Sequence, residues 1–547
     1  MSFSLASAWE TIADHRGDAL ALHCGGVSRS WTEFESRSAR LAGAFARVGI
    51  GTGDNVALAL YNGNEYLESE FAAFKVRAAP CNVNYRYVEA ELEYLIDNSD
   101  AKAVVFDAAL AERFGNIRQQ LPDVRLWIQV GGEPADVANW AVEYETLIGA
   151  SEPASRVARD GDDLWILYTG GTTGHPKGVM WPHRNLVAIS TRLFAGMGMP
   201  VPESLDDIAR VVDAIDAAGM TPRQLAASPL MHGTAGIGAL MHLVAGGAVV
   251  SMTSRRLDVE ELWRAVEAQR CTTVSIVGDV FCAPMVDELD RRRAAGDPVD
   301  LSSVRSVSSS GVMWSQPVKD RLLAHAHAQG SPLNCYDALG SSEGVGFAAR
   351  QSSSGGTDTE TATFTLGPNA AVFTPDGRRV EPGSGEQGQL AVGGPIPLGY
   401  YGDPVKSAET FREIEGRRWS IPGDWATVAA DGTVTLLGRG SVSINTGGEK
   451  VFPEEIEEQL KLLDAVVDAN VVGVPDPRWG AAVTAVVELA PGTDVSDTDL
   501  VDALRRRLSG YKLPKHVVRV DTLYRSPNGK ADYKWAVRTA CESLGIE

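Results

Sequence analysis

The hydrophobic positions of the first 150 residues alternate between helical and strand spacing. Apolar residues recur at helical spacing over 31–45, where Thr32 is the predicted N-cap, and again over 65–79. Short apolar runs at 55–60 and 103–106 are typical of buried strands. Helices that alternate with strands in this way predict a layered α/β architecture.

The last hundred residues show a different pattern. A helix is predicted to begin at Pro453, followed by a strand over 482–489 and a helix over 499–508. A chain of 547 residues is too long for one compact core. We therefore predict a large N-terminal domain over 1–439 and a small mobile α+β domain over 440–547.

Composition narrows the class of protein. The net charge of −21 argues against binding nucleic acid, which requires basic surfaces. No apolar run is long enough for a transmembrane segment, and the start lacks a basic leader. The cysteines form no C-x-x-C pair, which indicates a reduced, cytoplasmic setting. His325 and His327 have no further ligands nearby and are interpreted as solvated helix residues. The six cysteines are Cys24, Cys81, Cys271, Cys282, Cys335 and Cys541.

The segment richest in candidate binding residues is a run of glycines and threonines that follows an apolar stretch at 164–168. Glycines allow a backbone to approach a ligand closely, and successive N–H groups with threonine hydroxyls can surround phosphate oxygens. A Walker A loop requires Ser or Thr after its Gly-Lys, and Gly178 follows Lys177 here. A glycine-rich turn between two strands is the alternative interpretation. The segment reads Thr169-Gly170-Gly171-Thr172-Thr173-Gly174-His175-Pro176-Lys177.

This segment resembles the phosphate-binding loop of the adenylate-forming superfamily, which includes acyl-CoA synthetases, luciferases and peptide-synthetase adenylation domains. Further matching motifs follow in the expected order over nearly the whole chain. They are Pro229-Leu230-Met231-His232-Gly233, Gly340-Ser341-Ser342-Glu343, Trp419-Ser420-Ile421-Pro422-Gly423-Asp424, Leu437-Gly438-Arg439, Asn445-Thr446-Gly447-Gly448-Glu449-Lys450 and Ser526-Pro527-Asn528-Gly529-Lys530.

The resemblance implies a binding site for ATP and Mg²⁺. The glycine-rich segment, with Lys177, is expected to hold the β- and γ-phosphates. Gly340, Ser341 and Ser342 are expected at the α-phosphate, and Glu343 as the Mg²⁺ ligand. Asp424 and Arg439 are expected to hold the ribose, and Lys530 is expected to be the catalytic lysine.

The resemblance also implies an acyl channel, a coenzyme A site and a hinge. His232 is expected to border the acyl channel and to shift between two half-reactions. The other expected channel residues are Gly233, Gly236, Val280, Phe281 and Gly311. The expected coenzyme A residues are Gly447, Gly448 and Lys450. The expected hinge is Gly440-Ser441, although Ser441 departs from the charged residue of many relatives.

Three further stretches are less informative. The family often stacks adenine on an aromatic residue where this chain has Leu339, and Tyr336 is the nearest substitute. The acidic insert at 197–224 is interpreted either as a surface helix or as a cover for the acyl pocket. The tripeptide Tyr85-Arg86-Tyr87 also matches the family, and we assign it no chemistry.

We therefore predict an AMP-forming acyl-CoA synthetase that uses ATP, Mg²⁺ and coenzyme A on a carboxylic acid. The resemblance is greatest to actinobacterial synthetases for fatty acids and steroid side chains, so a medium- to long-chain or alicyclic acid is expected. Dimers are common in such families, and a homodimer is expected here. The alternatives are an acyl-AMP ligase that loads a carrier protein, a luciferase-type monooxygenase and an inactive nucleotide-binding regulator.

Overall fold

The structure is a computed structural model of the 547-residue chain. The structure describes residues 3–169, 176–311, 314–353, 363–439, 442, 444–446, 449–476, 480–505, 508, 510–525 and 530–546.

Sixteen α-helices occur among the described residues. They are α1 Leu5–His15, α2 Trp31–Arg47, α3 Asn64–Lys75, α4 Glu89–Asn98, α5 Ala111–Ile117, α6 Tyr144–Ala150, α7 His183–Gly196, α8 Leu205–Ala217, α9 Gly233–Val244, α10 Val259–Gln269, α11 Gly278–Ala294, α12 Gln316–Ala328, α13 Pro404–Thr410, α14 Pro453–Lys461, α15 Asp497–Arg505 and α16 Tyr533–Leu544.

The described strands form four sheets. Up to residue 182 they are β1 Leu20–Cys24, β2 Val27–Ser30, β3 Asn55–Ala59, β4 Ala79–Asn82, β5 Ala101–Asp107, β6 Leu126–Val130, β7 Val142–Glu143, β8 Leu164–Thr169 and β9 Lys177–Pro182. The middle strands are β10 Arg223–Ala226, β11 Ala248–Ser251, β12 Thr273–Ile276, β13 Ser306–Ser310, β14 Asn334–Ser341, β15 Gly344–Ser353, β16 Thr363–Leu366, β17 Ala370–Phe373 and β18 Gln387–Gly393. The last strands are β19 Phe411–Ile414, β20 Arg417–Ser420, β21 Asp424–Val428, β22 Thr433–Arg439, β23 Ile444–Thr446, β24 Glu449–Val451, β25 Val466–Asp476, β26 Gly480–Leu489 and β27 His516–Val520.

A seven-stranded sheet has the order β7-β6-β5-β3-β4-β8-β9. Its strands are parallel except for the antiparallel pair β8 and β9. A fifteen-stranded sheet has a parallel part, β1-β11-β10-β12-β13-β14, with β2 antiparallel at its outer edge. From β14 it continues in antiparallel strands, β15-β16-β22-β21-β18-β20-β19, and β17 pairs with β18. Because β10, β12, β13 and β14 are parallel, their carboxyl ends lie along one sheet edge, where α/β proteins bind ligands.

The C-terminal segment has its own small sheets. Strands β25 and β26 are antiparallel, β27 pairs in parallel with β26, and β23 and β24 form a hairpin. Ile456 and Leu460 of α14 are buried in one apolar cluster of this unit, and Ala536 and Ala540 of α16 in another. The layered α/β part with a small α+β unit is the predicted fold class. The boundary at 439/440 falls beside undescribed residues and stays a prediction.

The helix predicted over 31–45 is α2, but its predicted N-cap is wrong. Ser30 is the N-cap, because its hydroxyl accepts a hydrogen bond from the Glu33 backbone and Glu33 bonds back to the Ser30 N–H. This reciprocal arrangement satisfies two backbone donors, whereas Thr32 already lies inside the first turn. The strand and helix types predicted for the N-terminal half agree with the structure.

The insert at 197–224 forms α8. Its apolar face, including Val212, is buried, and the Asp216 carboxylate lies 2.6 Å from the guanidinium of Arg16, the C-cap of α1. The insert therefore packs on the N-terminal helix, and a role at the acyl pocket stays a prediction. His325 was expected to be solvated; instead it is buried and bonded to Asp290 at 2.6 Å.

All six cysteines are free thiols. Within the described part of the chain, His, Cys, Asp and Glu form no metal-holding group of three or more. A search of the same residues finds no helix with the length and apolar character needed to cross a bilayer.

Candidate functional site

The predicted phosphate loop is flanked in sequence by two antiparallel strands, β8 and β9. Thr169 at the end of β8 pairs with Lys177 at the start of β9. The Lys177 ammonium lies 3.9 Å from the Asp403 carboxylate and 5.4 Å from the Tyr400 ring centroid. The strands on either side of the glycine-rich segment therefore pair with each other, and the role of that segment in phosphate binding stays a prediction. Gly170, Gly171, Thr172, Thr173, Gly174 and His175 lie outside the described residues.

Glu343 is buried, with 8% of its surface exposed, and several hydrogen bonds fix its position. The Tyr400 hydroxyl donates to Glu343 Oε1 at 2.9 Å. The Ser420 hydroxyl donates to the Glu343 backbone carbonyl at 2.6 Å. The Trp181 indole donates to the Ser342 carbonyl at 2.9 Å. The turn after β14 is therefore held by β9, by β20 and by the segment before α13.

This turn suits a magnesium ion that also binds a nucleotide. Mg²⁺ in such sites takes one or two carboxylate oxygens together with substrate phosphates and water. Glu343 supplies one such carboxylate, with Oε1 held by Tyr400. Gly340 and Ser341 end β14 directly before it, and the Ser341 hydroxyl accepts from the Glu343 N–H at 3.2 Å. The residues fit a single carboxylate-bound Mg²⁺.

Asn82, at the end of β4, joins β8 to the loop that contains His232. Its amide nitrogen donates to the Tyr168 carbonyl at 2.9 Å and to the Met231 carbonyl at 2.8 Å. Its amide oxygen accepts from the Tyr168 N–H at 2.6 Å. Asn82 is buried, so these bonds are shielded from water and fix the two elements relative to each other.

Asn62 holds the start of the same loop. Its amide donates to the carbonyls of Ala226 and Ser228, each at 3.0 Å, and accepts from the Leu230 N–H at 2.7 Å. Together, Asn62 and Asn82 bind both ends of the segment that leads into α9.

His232 occupies the N-cap position of α9. Its Nε2 is buried and has no hydrogen-bond partner among the described residues. Burial, and then the positive charges of Lys530 and Arg86, lower the pKa of His232 to about 4. The ring is therefore neutral at physiological pH and can donate or accept one hydrogen bond.

Lys530 lies beside Gly311 and close enough for its charge to act on His232. Its side chain is exposed, and its Cε is 4.0 Å from where a Cβ at Gly311 would lie. Gly311 has φ +89°, a conformation that favours glycine, directly after β13. The structure therefore brings Lys530 from the C-terminal segment together with His232 and Gly311.

The other expected channel residues have different environments. Val280 of α11 is 42% exposed, and Phe281 is half-buried against an apolar cluster. Gly233 is half-buried beside Leu167. Gly236 is buried, and a Cβ there would lie 2.7 Å from the Leu230 carbonyl oxygen. Close packing therefore explains this glycine, and its assignment to the acyl channel stays a prediction.

The expected ribose residues are direct neighbours. Asp424 at the start of β21 pairs with Arg439 at the end of β22. Lys450 lies on β24, opposite Asn445. Tyr336, the candidate adenine partner, is 39% exposed on β14. Besides residues 170–175, the expected site residues outside the described part are Gly440, Ser441, Gly447 and Gly448.

Sequence reasoning missed Asn62, Asn82 and Tyr400. Asn62 and Asn82 come at or just after the carboxyl ends of buried strands, and a polar residue there is a detectable pattern. The bond from Tyr400 to Glu343 joins residues 57 positions apart, and no local pattern predicts it.

Two family models match the chain. The AMP-binding enzyme model matches residues 9–401, and the model of the AMP-binding enzyme C-terminal domain matches residues 455–530. The chain is 39% identical to a 3-oxocholest-4-en-26-oate--CoA ligase of Rhodococcus rhodochrous, over 98% of this chain and 96% of the relative. It is 39% identical to the medium-chain acyl-CoA ligase Mig of Mycobacterium avium, over 88% and 86% of the two chains.

Solved structures show the same fold at lower identity. An anthranilate CoA ligase bound to anthranoyl-AMP, AuaEII, gives a TM-score of 0.81 at 19% identity, over 99% of this chain and 98% of that one. ATP-bound MatB of Rhodopseudomonas palustris gives 0.78 at 24% identity, over 99% and 100%. The chain therefore belongs to the AMP-binding enzyme family, the adenylate-forming superfamily whose motifs it carries, and has that family's C-terminal domain as well.

Proposed function

We propose that this chain is an AMP-forming acyl-CoA synthetase. The observation that carries the proposal is the position of Lys530, whose Cε lies beside Gly311 and whose charge acts on His232. A cation from the C-terminal segment is thereby available where a carboxylate could meet the α-phosphate. Membership of the family and near-full-length similarity to CoA ligases support the same reaction.

In the first step, a carboxylate oxygen attacks the α-phosphorus of ATP. The bond from that phosphorus to the bridging oxygen breaks, and pyrophosphate leaves with the electron pair. Lys530 stabilises the negative charge that develops between carboxylate and α-phosphate. Lys177 and the loop from Thr169 to Gly174 hold the β- and γ-phosphates. Asp424 and Arg439 hold the ribose.

Mg²⁺ would be held by Glu343, and when bound it neutralises charge on the phosphate oxygens. Tyr400 orients the Glu343 carboxylate through its 2.9 Å hydrogen bond. The same ring lies beside the Lys177 ammonium. Tyr400 therefore acts as a positioning residue for both the metal ligand and the phosphate-binding lysine.

In the second step, the coenzyme A sulfur attacks the acyl carbon of the acyl-adenylate. The bond from that carbon to the AMP oxygen breaks, AMP leaves with the electron pair, and the thiol proton is released to solvent. We propose that the small domain, from residue 440, turns about Gly440-Ser441, withdraws Lys530 and brings Gly447, Gly448 and Lys450 to the pantetheine arm. His232, neutral at physiological pH, borders the acyl group, and we assign no dedicated base for the thiol.

The substrate we propose is a medium- to long-chain or alicyclic carboxylic acid. Relatives at 37–39% identity over nearly the whole chain are named as ligases for 3-oxocholest-4-en-26-oate and for medium- and long-chain fatty acids. A feruloyl-CoA synthase of Amycolatopsis sp is less similar, at 31%. Steroid side-chain acids are therefore part of the proposed range.

The test is AMP release across a panel of acids, each with and without coenzyme A. The panel includes short, medium and long fatty acids, aryl acids and steroid side-chain acids. Strong turnover with one class, only when coenzyme A is present, is the expected result. Pyrophosphate release that ignores coenzyme A would instead support an acyl-AMP ligase.

We also propose a homodimer in the cytoplasm. The cytoplasmic assignment rests on the scattered free cysteines. Sedimentation of the purified chain tests the assembly, and a monomer at micromolar concentration would contradict it.

A further inference from the structure

The two faces of the parallel sheet differ in polarity at strands β12 and β13. Parallel strands that are covered on both sides usually carry apolar residues on both faces. One face here follows that rule, since Val274, Val307 and Cys335 are buried in an apolar cluster with residues of α10, α11 and α12. The opposite face carries hydroxyl side chains at alternate positions. We call them the hydroxyl row, and they are Thr273, Ser275, Ser306 and Ser308.

The hydroxyl row consists of two hydrogen-bonded pairs. Thr273 pairs in register with Ser306, and Ser275 with Ser308, so each pair lies side by side on one face. The Ser306 hydroxyl donates to Thr273 Oγ1 at 3.2 Å. The Ser275 and Ser308 oxygens are 3.3 Å apart. The two pairs therefore follow one another along the strands.

Gln224 of β10 joins the row from the side and is fully buried. Its amide nitrogen donates to Ser275 Oγ at 2.7 Å and to the Ala235 carbonyl of α9 at 3.3 Å. Ser275 can then donate to Ser308, which leaves the Ser308 hydrogen for another acceptor. Gln224 Oε1 is buried and has no hydrogen-bond partner within the part of the chain that the structure describes. A buried acceptor left unpaired is costly, so this atom points to a donor group on a ligand.

Helix α9 covers this face and leaves a groove beside the row. A Cβ at Gly238 would lie 2.6 Å from Gln224 Nε2 and 3.6 Å from Ser275 Oγ, so this glycine lets the helix approach closely. Thr234, Gly238 and Met241 recur at helical spacing along one side of α9, and all three are half-buried. Thr273, Ser306 and Ser308 are half-buried too. A groove therefore runs between α9 and the hydroxyl row.

The row lies at a distance from the proposed reacting centre. Gly311, beside Lys530, directly follows β13. Ser308 comes three residues before Gly311 and Ser306 five, which is about 10 Å and about 16 Å along an extended strand. A substrate whose carboxylate lies near Lys530 would therefore meet the row with its far end.

We propose that the hydroxyl row and Gln224 select carboxylic acids that carry a hydroxyl or keto oxygen far from the carboxylate. An apolar pocket would leave such an oxygen unpaired, which weakens binding. Here the oxygen can accept a hydrogen bond from Ser308 or Thr273, and a hydroxyl substituent also brings a donor of the kind that suits Gln224 Oε1. This inference rests on the proposed function and narrows its substrate class to oxygenated acids.

The experiment measures thioester formation by the full-length enzyme on three pairs of acids. The pairs are decanoate with ω-hydroxydecanoate, hexadecanoate with ω-hydroxyhexadecanoate, and cholanic acid with its ring-hydroxylated form, lithocholic acid. The members of each pair differ by one oxygen atom. The readout is the ratio of kcat/KM for the hydroxylated acid to kcat/KM for the plain acid, in each pair that the enzyme turns over.

The test variants remove one hydroxyl each. They are Ser308→Ala and Thr273→Val, and Ser308→Thr keeps the hydroxyl as a matched variant. The control is Ser302→Ala, which removes an exposed hydroxyl from the loop before β13.

Wild type should use the hydroxylated acid at least as well as the plain acid. Ser308→Ala should lower the ratio about fivefold in the decanoate pair, because one hydrogen bond to the substrate is lost. Thr273→Val should lower it by a similar factor in the longer pairs, since its hydroxyl lies farther from Gly311. Ser308→Thr and Ser302→Ala should keep the wild-type ratio.

A wild-type ratio below about one tenth in every pair would overturn the inference, because a pocket without partners for the oxygen rejects it in that way. An unchanged ratio in both Ser308→Ala and Thr273→Val would overturn it as well. A loss in Ser308→Thr equal to that in Ser308→Ala would show that the shape of the side chain, and not its hydroxyl, is what matters. None of these results touches the proposed function, which fails only if wild type forms no thioester with any acid.

Discussion

Glu343 and Lys530, the two residues proposed to act on ATP, have different surroundings. Glu343 is buried, and Tyr400, Ser420 and Ser341 fix it through hydrogen bonds. Lys530, from the C-terminal segment, is exposed.

This difference matches the two proposed roles. A group that holds a metal ion works best when it is already fixed in place. The proposed withdrawal of Lys530 after adenylation requires a side chain that is not buried. The comparison predicts that substitution of Glu343 alters metal binding, whereas substitution of Lys530 separates the two half-reactions.

The largest effect is expected for Lys530→Ala. Loss of the cation at the α-phosphate should lower adenylation roughly a hundred- to a thousandfold, measured as acid-dependent exchange of pyrophosphate into ATP. The control is Lys534→Ala, an exposed lysine near the start of α16, which should keep the wild-type rate. Equal loss in both variants would show that the small domain tolerates no change of charge.

Glu343→Gln tests the proposed metal ligand directly. An amide oxygen is a weaker Mg²⁺ ligand than a carboxylate, so adenylation should fall about a hundredfold at fixed Mg²⁺. The Mg²⁺ concentration for half-maximal rate should rise as well. If the variant needs the same Mg²⁺ concentration as wild type for half-maximal rate, Glu343 is not a ligand of the metal.

Buried histidines on the scaffold predict a loss of stability in acid. Burial lowers the pKa of His183 to about 3 and of His242 to about 4. Below pH 6.5 the unfolded chain takes up protons that the folded chain does not, so stability falls as pH falls from 6.5 to about 4. Each residue should cost about 2 kcal/mol at pH 5.

Urea unfolding of wild type and His242→Gln at pH 5 and pH 7.5 measures this effect. The variant should lose less stability than wild type between the two values. An equal loss of unfolding free energy in the two proteins would show that His242 does not contribute to the acid sensitivity.

Tyr400→Phe should have the smallest effect on rate. It removes one hydrogen bond to Glu343 and leaves the ring beside Lys177, so adenylation should fall about tenfold. Binding of Mn²⁺ in the presence of ATP, followed by electron paramagnetic resonance, should weaken by a similar factor. The control is Tyr401→Phe, whose hydroxyl bonds Asp100 at 2.9 Å. Equal changes in the two variants would contradict a positioning role for Tyr400.

Much of the fold followed from local patterns. The apolar run at 164–168 is β8, and the helix predicted from Pro453 is α14, because each pattern matches the period of its element. The error at Thr32 has a local cause as well. Ser30 and Glu33 form a capping box, which outcompetes a threonine inside the turn.

The site was predictable only where its motifs are contiguous. Glu343 and Lys530 stand in short motifs that resemble those of the family. Tyr400 and Asn82 act across long separations in the sequence, and tertiary packing alone shows their partners.

The central claim is that Lys530 serves the first half-reaction and not the second. The most direct measurement supplies purified acyl-adenylate and coenzyme A to Lys530→Ala and follows thioester formation. The account predicts a rate within about threefold of wild type, because Lys530 is withdrawn in this step. Loss of thioester formation as large as the loss of adenylation would contradict it.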